Sequence, residues 1–326
     1  MPDKAIAVDL PDFQAVRQAA ARIRSFVRQT PVLSDSALNE RLGCQIFFKC
    51  ENLQASGSFK LRGASNAVAR LREQHIPGDV ATHSSGNHGA ALALAARLDS
   101  RRAHVVMPEN ASPFKVAAVR EQGGQVYFCA ATQEARESGL NSLLAKGYQA
   151  IPPYDHVDII AGQGTACLEL TEQVRDIEMV VSPVGGGGLI SGTALVASHL
   201  GIATIGAEPR GAADTANSLA QGRRVESVQA DTIADGLRAL VGVRNFSLIH
   251  ELVDDVITVS EDEIRLAMID IWRCFRLLAE PSSAVVLAAI QQQSRRFYGK
   301  RVAAIISGGN ITPAQWLEVS GWETGA

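Results

Sequence analysis

Lys60 lies in the run Gly57-Ser58-Phe59-Lys60-Leu61-Arg62-Gly63. Ser58 is a good N-cap residue, and the stretch from Phe59 to about Leu71 has helical composition without proline, so the spacing predicts a lysine in the first turn of a helix. Cations are favoured at the other end of a helix. Here the dipole should depress the amine pKa, and a neutral amine is what imine formation with a carbonyl needs. An isolated lysine is more often an ordinary surface charge; the aromatic before this one and the glycines on both sides favour a site. Three polar, glycine-bearing segments each follow a β-rich run: His83-Ser84-Ser85-Gly86-Asn87-His88-Gly89, Val184-Gly185-Gly186-Gly187-Gly188-Leu189 and Ser307-Gly308-Gly309-Asn310. Ligands of open parallel sheets bind at the carboxyl ends of strands, so such loops can line one crevice. The four glycines can turn their N–H groups inward as an anion cradle, with a helix N-terminus behind; a flexible strand–helix turn is the competing reading. No Lys-Ser/Thr follows to make a Walker loop, and a dinucleotide fingerprint is not convincing. An amine, a phosphate cradle and a polar strand-end loop together describe a site for a phosphorylated carbonyl cofactor held as an imine. Pyridoxal phosphate fits that description.

The elements that must position these residues alternate along the chain. Short β-rich runs occur at about Gln45–Lys49, Val80–Thr82, Ala103–Met107, Gln125–Cys129, Met179–Ser182, Thr204–Ala207, Val256–Val259 and Val302–Ile306. Between them lie helical stretches at about His88–Arg97, Pro113–Gln122, Thr165–Val174, Leu189–His199, Glu261–Leu278 and Ser282–Gln293. Ser112-Pro113 supplies a cap and an N1 proline, Ser260 to Glu263 a capping box, and Gly123-Gly124 a stop. Most of the β runs are largely apolar rather than strictly alternating, as strands covered on both faces are. The expectation is an α/β architecture of open, mostly parallel sheets with helices on both faces. Ile151-Pro152-Pro153-Tyr154 is the best candidate for a crossing between domains.

With 326 residues the chain has room for two domains. Its net charge of −3 and 46% hydrophobic content give no reason to expect nucleic acid or an anionic membrane as partner. The five cysteines have no C-x-x-C pair or zinc spacing and read as reduced thiols. Met1 to Leu10 is too short and charged for a secretory leader, and no apolar run reaches spanning length. These features lead to the expectation of a cytoplasmic protein.

From about Arg22 to Asn310 the chain resembles the serine/threonine dehydratase and serine racemase family, pyridoxal-phosphate enzymes of fold type II related to tryptophan synthase β. The resemblance is carried by Glu51-Asn52-Leu53-Gln54, the lysine motif extended to Ala64, Ser84 to Gly89, Ala161-Gly162-Gln163-Gly164-Thr165, Gly185 to Gly188 and Ser307 to Asn310, in that order and spacing. It implies two open, mostly parallel sheets: a large cofactor-binding domain from 1–75 and 153–326, and a small mobile α/β domain from 76–152. A regulatory domain after Asn310, as in biosynthetic threonine deaminases, is not expected. The Asn-Pro and Thr-Gly-Asn-Thr-Gly signatures of cysteine synthases are replaced here, which argues against β-replacement.

The resemblance also assigns roles. Lys60 holds pyridoxal phosphate and then takes the α-proton as a base, while Phe59 packs near the ring. Gly185, Gly186, Gly187 and Gly188 hold the phosphate. Asn87 meets the ring hydroxyl and Ser307 the pyridine nitrogen, where a neutral hydroxyl leaves the ring a weaker electron sink and favours prompt loss of a β-leaving group. Ser84, Ser85, Asn87 and His88 receive the substrate carboxylate, Ser85 also being the acid/base opposite the lysine; a satisfied structural histidine is the bland reading of His88. Arg136 approaches the substrate, or is a plain surface charge. Glu208, the Ala212 carbonyl and Asp214 hold Mg²⁺, Mn²⁺ or Ca²⁺, for which oxygen donors are suited; without the resemblance they read as a solvated acidic loop. The implied enzyme is a homodimer that eliminates water and ammonia from L-serine, L-threonine or 3-hydroxyaspartate. A racemase with side elimination is the alternative, and a cofactor-binding protein that has lost catalysis is a third reading, opposed by the complete set Lys60, Ser85, Asn87 and Ser307.

Overall fold

The computed structural model describes residues 9–322. Residues 1–8, most of the segment weighed above as a leader, and 323–326 lie outside the described residues. Ten strands alternate with helices: β1 (Val32–Leu33), β2 (Gln45–Cys50), β3 (Val80–His83), β4 (Ala103–Pro108), β5 (Gln125–Cys129), β6 (Gln149–Ala150), β7 (Met179–Pro183), β8 (Ala203–Pro209), β9 (Asp255–Val259) and β10 (Arg301–Ile306). They form a six-stranded sheet in the order β1-β2-β10-β7-β8-β9 and a four-stranded sheet in the order β5-β4-β3-β6. Every pairing is parallel except that of β1 with β2. Apolar strands demand cover on both faces. The helices Glu261–Phe275 and Pro281–Gln292 bury one face of the larger sheet with Ile264, Met268, Val286 and Ile290, while Leu170, Leu189 and Ala197 close the other. Among the described residues no helix is long and apolar enough to cross a membrane.

The structure departs from the sequence expectation at several elements. β1 and β6 have two residues each and carry no period to read. The helix expected from Thr165 begins at Val157 and runs through Gly162 and Gly164. Those glycines are contact points rather than breakers: a Cβ on Gly162 would lie 2.6 Å from the Cα of Gly63, and one on Gly164 2.7 Å from the carbonyl of Gly192. Three helices therefore touch backbone to backbone beneath the lysine loop. Ser58 is not the cap of its helix, which spans Lys60–Glu73 with Phe59 in the capping position. It pairs instead with Gly308 in an isolated bridge, and its buried hydroxyl has no partner among the described residues.

A buried charge cluster holds the same region from below. Arg62 donates to both oxygens of Glu51 at 2.8 and 2.7 Å and to both of Glu169 at 3.1 Å, and Lys49 joins Glu169 and the carbonyl of Thr30. Burial alone would raise the Glu51 carboxyl; the Arg62 guanidinium overrides it and holds the group below its usual range. The Lys49 amine goes the other way, lowered by burial against the pull of Glu169.

Candidate active site

Strand order places the chemistry. β2, β10, β7 and β8 are parallel neighbours, so the segments after their carboxyl ends open on one edge. Those segments carry Lys60, Ser307, the glycine loop and the Glu208 region in turn. The lysine and serine loops are stitched together, with the Phe59 N–H donating to the Ser307 carbonyl at 3.0 Å and the Gly309 N–H to that of Gly57. Gly57 is required twice over: its φ of +74° is in the left-handed region that favours glycine, and a Cβ there would fall on the Asn310 side chain.

Lys60 turns its amine inward, where Nζ donates to the Pro153 carbonyl at 2.8 Å and lies 5.0 Å from the Phe59 ring centroid. The amine is lowered to about 8. Burial, not the helix dipole expected from the sequence, is the cause. The next residue, Tyr154, lies against the glycine loop so closely that a Cβ on Gly186 would come 2.4 Å from its ring. Asn245 fixes the same turn by donating to the Gly186 carbonyl at 2.8 Å. The amide N–H groups from Gly185 to Leu189 are buried and find no acceptor among the described residues. Buried orphan donors are rare. Five in succession ahead of the helix Gly188–His199 suit a phosphate. The residues present therefore fit pyridoxal phosphate.

The third loop comes from the other sheet. Asn87 opens the helix Asn87–Leu98 after β3, and its Oδ1 accepts from Asn310 Nδ2 at 2.8 Å, which brings it to the Ser307 loop. Ser85 is exposed at the tip of this turn. The Ser84 hydroxyl accepts the Gly86 and Gly89 amides at 3.2 and 3.1 Å and so supports the turn itself. His88 is buried and lowered to about 3, by burial first and the neighbouring Lys60 charge second. It is a neutral ring donating from Nε2 to the Ile151 carbonyl at 3.0 Å, with Nδ1 unpartnered. Arg136, on the helix Gln133–Leu144, is half-buried near His83 at the end of β3; its charge adds to burial in lowering that imidazole.

Ser307 is 5% exposed, and its hydroxyl meets that of Ser283 at 3.0 Å. Ser283 and the neighbouring Glu280, which contacts Asn87, were not singled out from the sequence. Glu208 is buried at the end of β8, its oxygens accepting the Thr215 and Ala216 amides at 3.1 and 3.0 Å. Asp214 Oδ2 accepts the Val241 amide at 2.8 Å, and its Oδ1 is buried without a partner among the described residues. Burial, with the Asp214 charge adding to it, pushes the Glu208 carboxyl up to about 8. Among the described residues no group of three or more His, Cys, Asp or Glu is placed for a metal ion; this pair with the Ala212 carbonyl is a sparser set.

An amine kept near neutrality beside a phosphate cradle defines a pyridoxal-phosphate enzyme, and residues 23–308 match the pyridoxal-phosphate dependent enzyme family. The chain belongs to that family, and its two mainly parallel sheets are those of fold type II. It is 46% identical over 303 residues to a serine racemase of Dictyostelium discoideum, covering 91% of this chain and 94% of that one. It is 41% identical over 305 residues to a beta-hydroxyaspartate dehydratase of Paracoccus denitrificans, covering 93% and 97%. The solved structure of maize serine racemase matches with a TM-score of 0.91 at 40% identity, covering 95% of this chain and 97% of that one.

Proposed function

We propose that this chain is an ammonia-lyase that converts L-serine, L-threonine or a related β-hydroxy amino acid into a 2-oxo acid and ammonia. The observation that carries this reading is a depressed lysine amine joined to a run of orphan amides through the single Pro153-Tyr154 turn. When bound, pyridoxal phosphate supplies a conjugated ring that acidifies the C–H beside an attached amine. Lys60 Nζ first holds the cofactor, then takes the α-proton; a pKa of about 8 leaves much of the amine free in mildly alkaline solution. Gly185 to Gly188 hold the phosphate, Phe59 and Asn87 the ring, and Ser307 meets the ring nitrogen. Ser84 and Ser85, with the main-chain amides of Asn87 and His88, receive the substrate carboxylate at the N-terminus of the Asn87–Leu98 helix. Arg136 meets a second carboxylate when the substrate is 3-hydroxyaspartate, in keeping with the likeness to the Paracoccus dehydratase.

A second reading, an amino-acid racemase with side elimination, is favoured by the exposed Ser85 hydroxyl and the likeness to the Dictyostelium protein. Incubating the holoenzyme with both enantiomers of serine, threonine and 3-hydroxyaspartate, while following 2-oxo acid and enantiomer together, decides between them. Release of 2-oxo acid from L-substrates ahead of enantiomer exchange is expected. Exchange running ahead would make it a racemase, and neither reaction would overturn both readings.

Glu208, Ala212 and Asp214 are assigned a divalent cation, Mg²⁺, Mn²⁺ or Ca²⁺, supported by the orphan Asp214 Oδ1 and by a buried Glu208 carboxylate whose ionisation the Asp214 charge further opposes. Residues 76–152 are assigned to a small domain that moves against 1–75 and 153–326. The protein is further assigned to the cytoplasm as a homodimer, its five cysteines being unpaired.

A further inference from the structure

Glu280 precedes the helix Pro281–Gln292 and is 3% exposed, yet among the described residues no basic side chain pairs with it. Its oxygens receive Asn87 Nδ2 at 3.1 and 2.9 Å, and Oε1 also receives the Asn310 amide at 2.8 Å. Its own amide donates to the Gly308 carbonyl at 3.1 Å, so main chain and side chain are both tied to the loop that follows β10. A buried acid without a basic partner is costly, which makes its placement informative. An ionised carboxylate only accepts. Asn87 must therefore turn its NH₂ group toward Glu280, and the donation from Asn310 Nδ2 to Asn87 Oδ1 fixes the opposite end of the amide. The two oxygens of one carboxylate lie too close in direction for two amide N–H bonds, so a single N–H is shared between them and one Asn87 N–H is left over.

We propose that Glu280 is a positioning residue for the cofactor: with Asn310 it locks the Asn87 amide in the one orientation that offers an N–H to the ring hydroxyl. This rests on the assignment of Asn87 to that hydroxyl. Burial, with the Asp235 charge adding to it and the Lys115 charge opposing it, pushes the Glu280 carboxyl up to about 7. A proton on Glu280 makes it a donor as well as an acceptor, so the lock slackens as pH falls through neutrality.

The test compares parent holoenzyme with Glu280→Gln, Asn87→Ala and the double variant, reading the pyridoxal phosphate dissociation constant by dialysis and the visible spectrum of the bound cofactor. Glutamine keeps the size but can donate, which allows Asn87 to turn over. Glu280→Gln is expected to bind pyridoxal phosphate about tenfold more weakly, the scale of one mispaired hydrogen bond, with an altered visible spectrum. Parent affinity should fall below about pH 7 and the variant's should not, because the titrating carboxyl is gone. In the Asn87→Ala background Glu280→Gln should add nothing. Unchanged affinity and spectrum in Glu280→Gln beside an altered Asn87→Ala would overturn the lock alone, as would simple addition of the two effects. An unchanged Asn87→Ala would withdraw the ring-hydroxyl assignment and the lock with it. If Glu280→Gln does not fold, Asn310→Ala takes its place, and an unaltered spectrum there overturns the proposal.

Discussion

Arg62→Ala isolates the ionic cluster beneath the lysine loop. The guanidinium makes four charge-assisted hydrogen bonds, two to Glu51 and two to Glu169. Glu51 has no exposure, so truncation leaves an acid buried with only the Thr30 hydroxyl beside it; the Lys49 amine is already engaged with Glu169 and Gln173. Removing one partner of a buried pair costs roughly 3–5 kcal/mol. At roughly 2–4 °C per kcal/mol, the melting temperature should fall by on the order of 10 °C. The pH dependence has a definite sign. In the parent the Glu51 pKa is depressed, so its contribution to stability is present above the ordinary carboxylate range and lost as pH falls through the folded value. In the variant, burial no longer opposed by Arg62 raises it, and the orphan relieves itself by taking up a proton. The deficit should thus be largest near about pH 8 and shrink toward about pH 5. Thermal melts followed by circular dichroism at both pH values, on Arg62→Ala and on Arg62→Met combined with Glu51→Leu, provide the measurement. A loss below about 2 °C, a deficit independent of pH, or a double variant no better than the single one would refute the reasoning.

Three further outcomes are expected. Purified protein should be yellow, and borohydride should fix the cofactor on Lys60; a label on another lysine would remove the assignment. Ser85→Ala should retain elimination from L-serine while exchange of L- and D-serine and elimination from D-serine drop much further, by about 10²-fold or more for loss of an acid/base; equal losses throughout would leave Ser85 only a carboxylate contact. Chelation should lower activity and melting temperature together without changing the product, by roughly 2.7 kcal/mol when the ion had stood at a hundredfold excess over its dissociation constant. Asp214→Ala should erase that response, and a parent indifferent to chelator would show the Glu208 loop to be an ordinary turn.

Much of the site was legible because its chemistry is local. A lysine flanked by glycines and an unbroken run of four glycines announce themselves within a few residues, and β2, β7 and β10 show as apolar stretches wherever both faces are covered. What stayed hidden depends on partners remote in sequence. Gly162 and Gly164 look like breakers until the helices they touch are in place. Ser58 looks like a cap until Gly308 pairs with it. Nothing in Glu280-Pro281-Ser282-Ser283 signals that its acid will be buried against Asn87, 193 residues away. The depressed lysine was anticipated in direction, but its cause was misplaced, because burial is a property of the fold and not of the helix end.

Among the described residues β10 is the last strand, yet it stands inside the larger sheet, hydrogen-bonded to β2 on one side and β7 on the other. Until Arg301–Ile306 has left the ribosome, those two strands are raw edges facing a gap one strand wide. The lysine loop then lacks the Ser307 carbonyl and Gly309 amide that fasten it. Asn87 likewise lacks Asn310 and keeps only its contact with Glu280. Cofactor binding is thus expected to depend on β10 being in place, although most of the named site residues precede it in the chain. A chain cut short before Val302 would keep Lys60 and the glycine loop but lose the contacts that fasten the lysine loop, and should bind pyridoxal phosphate more weakly.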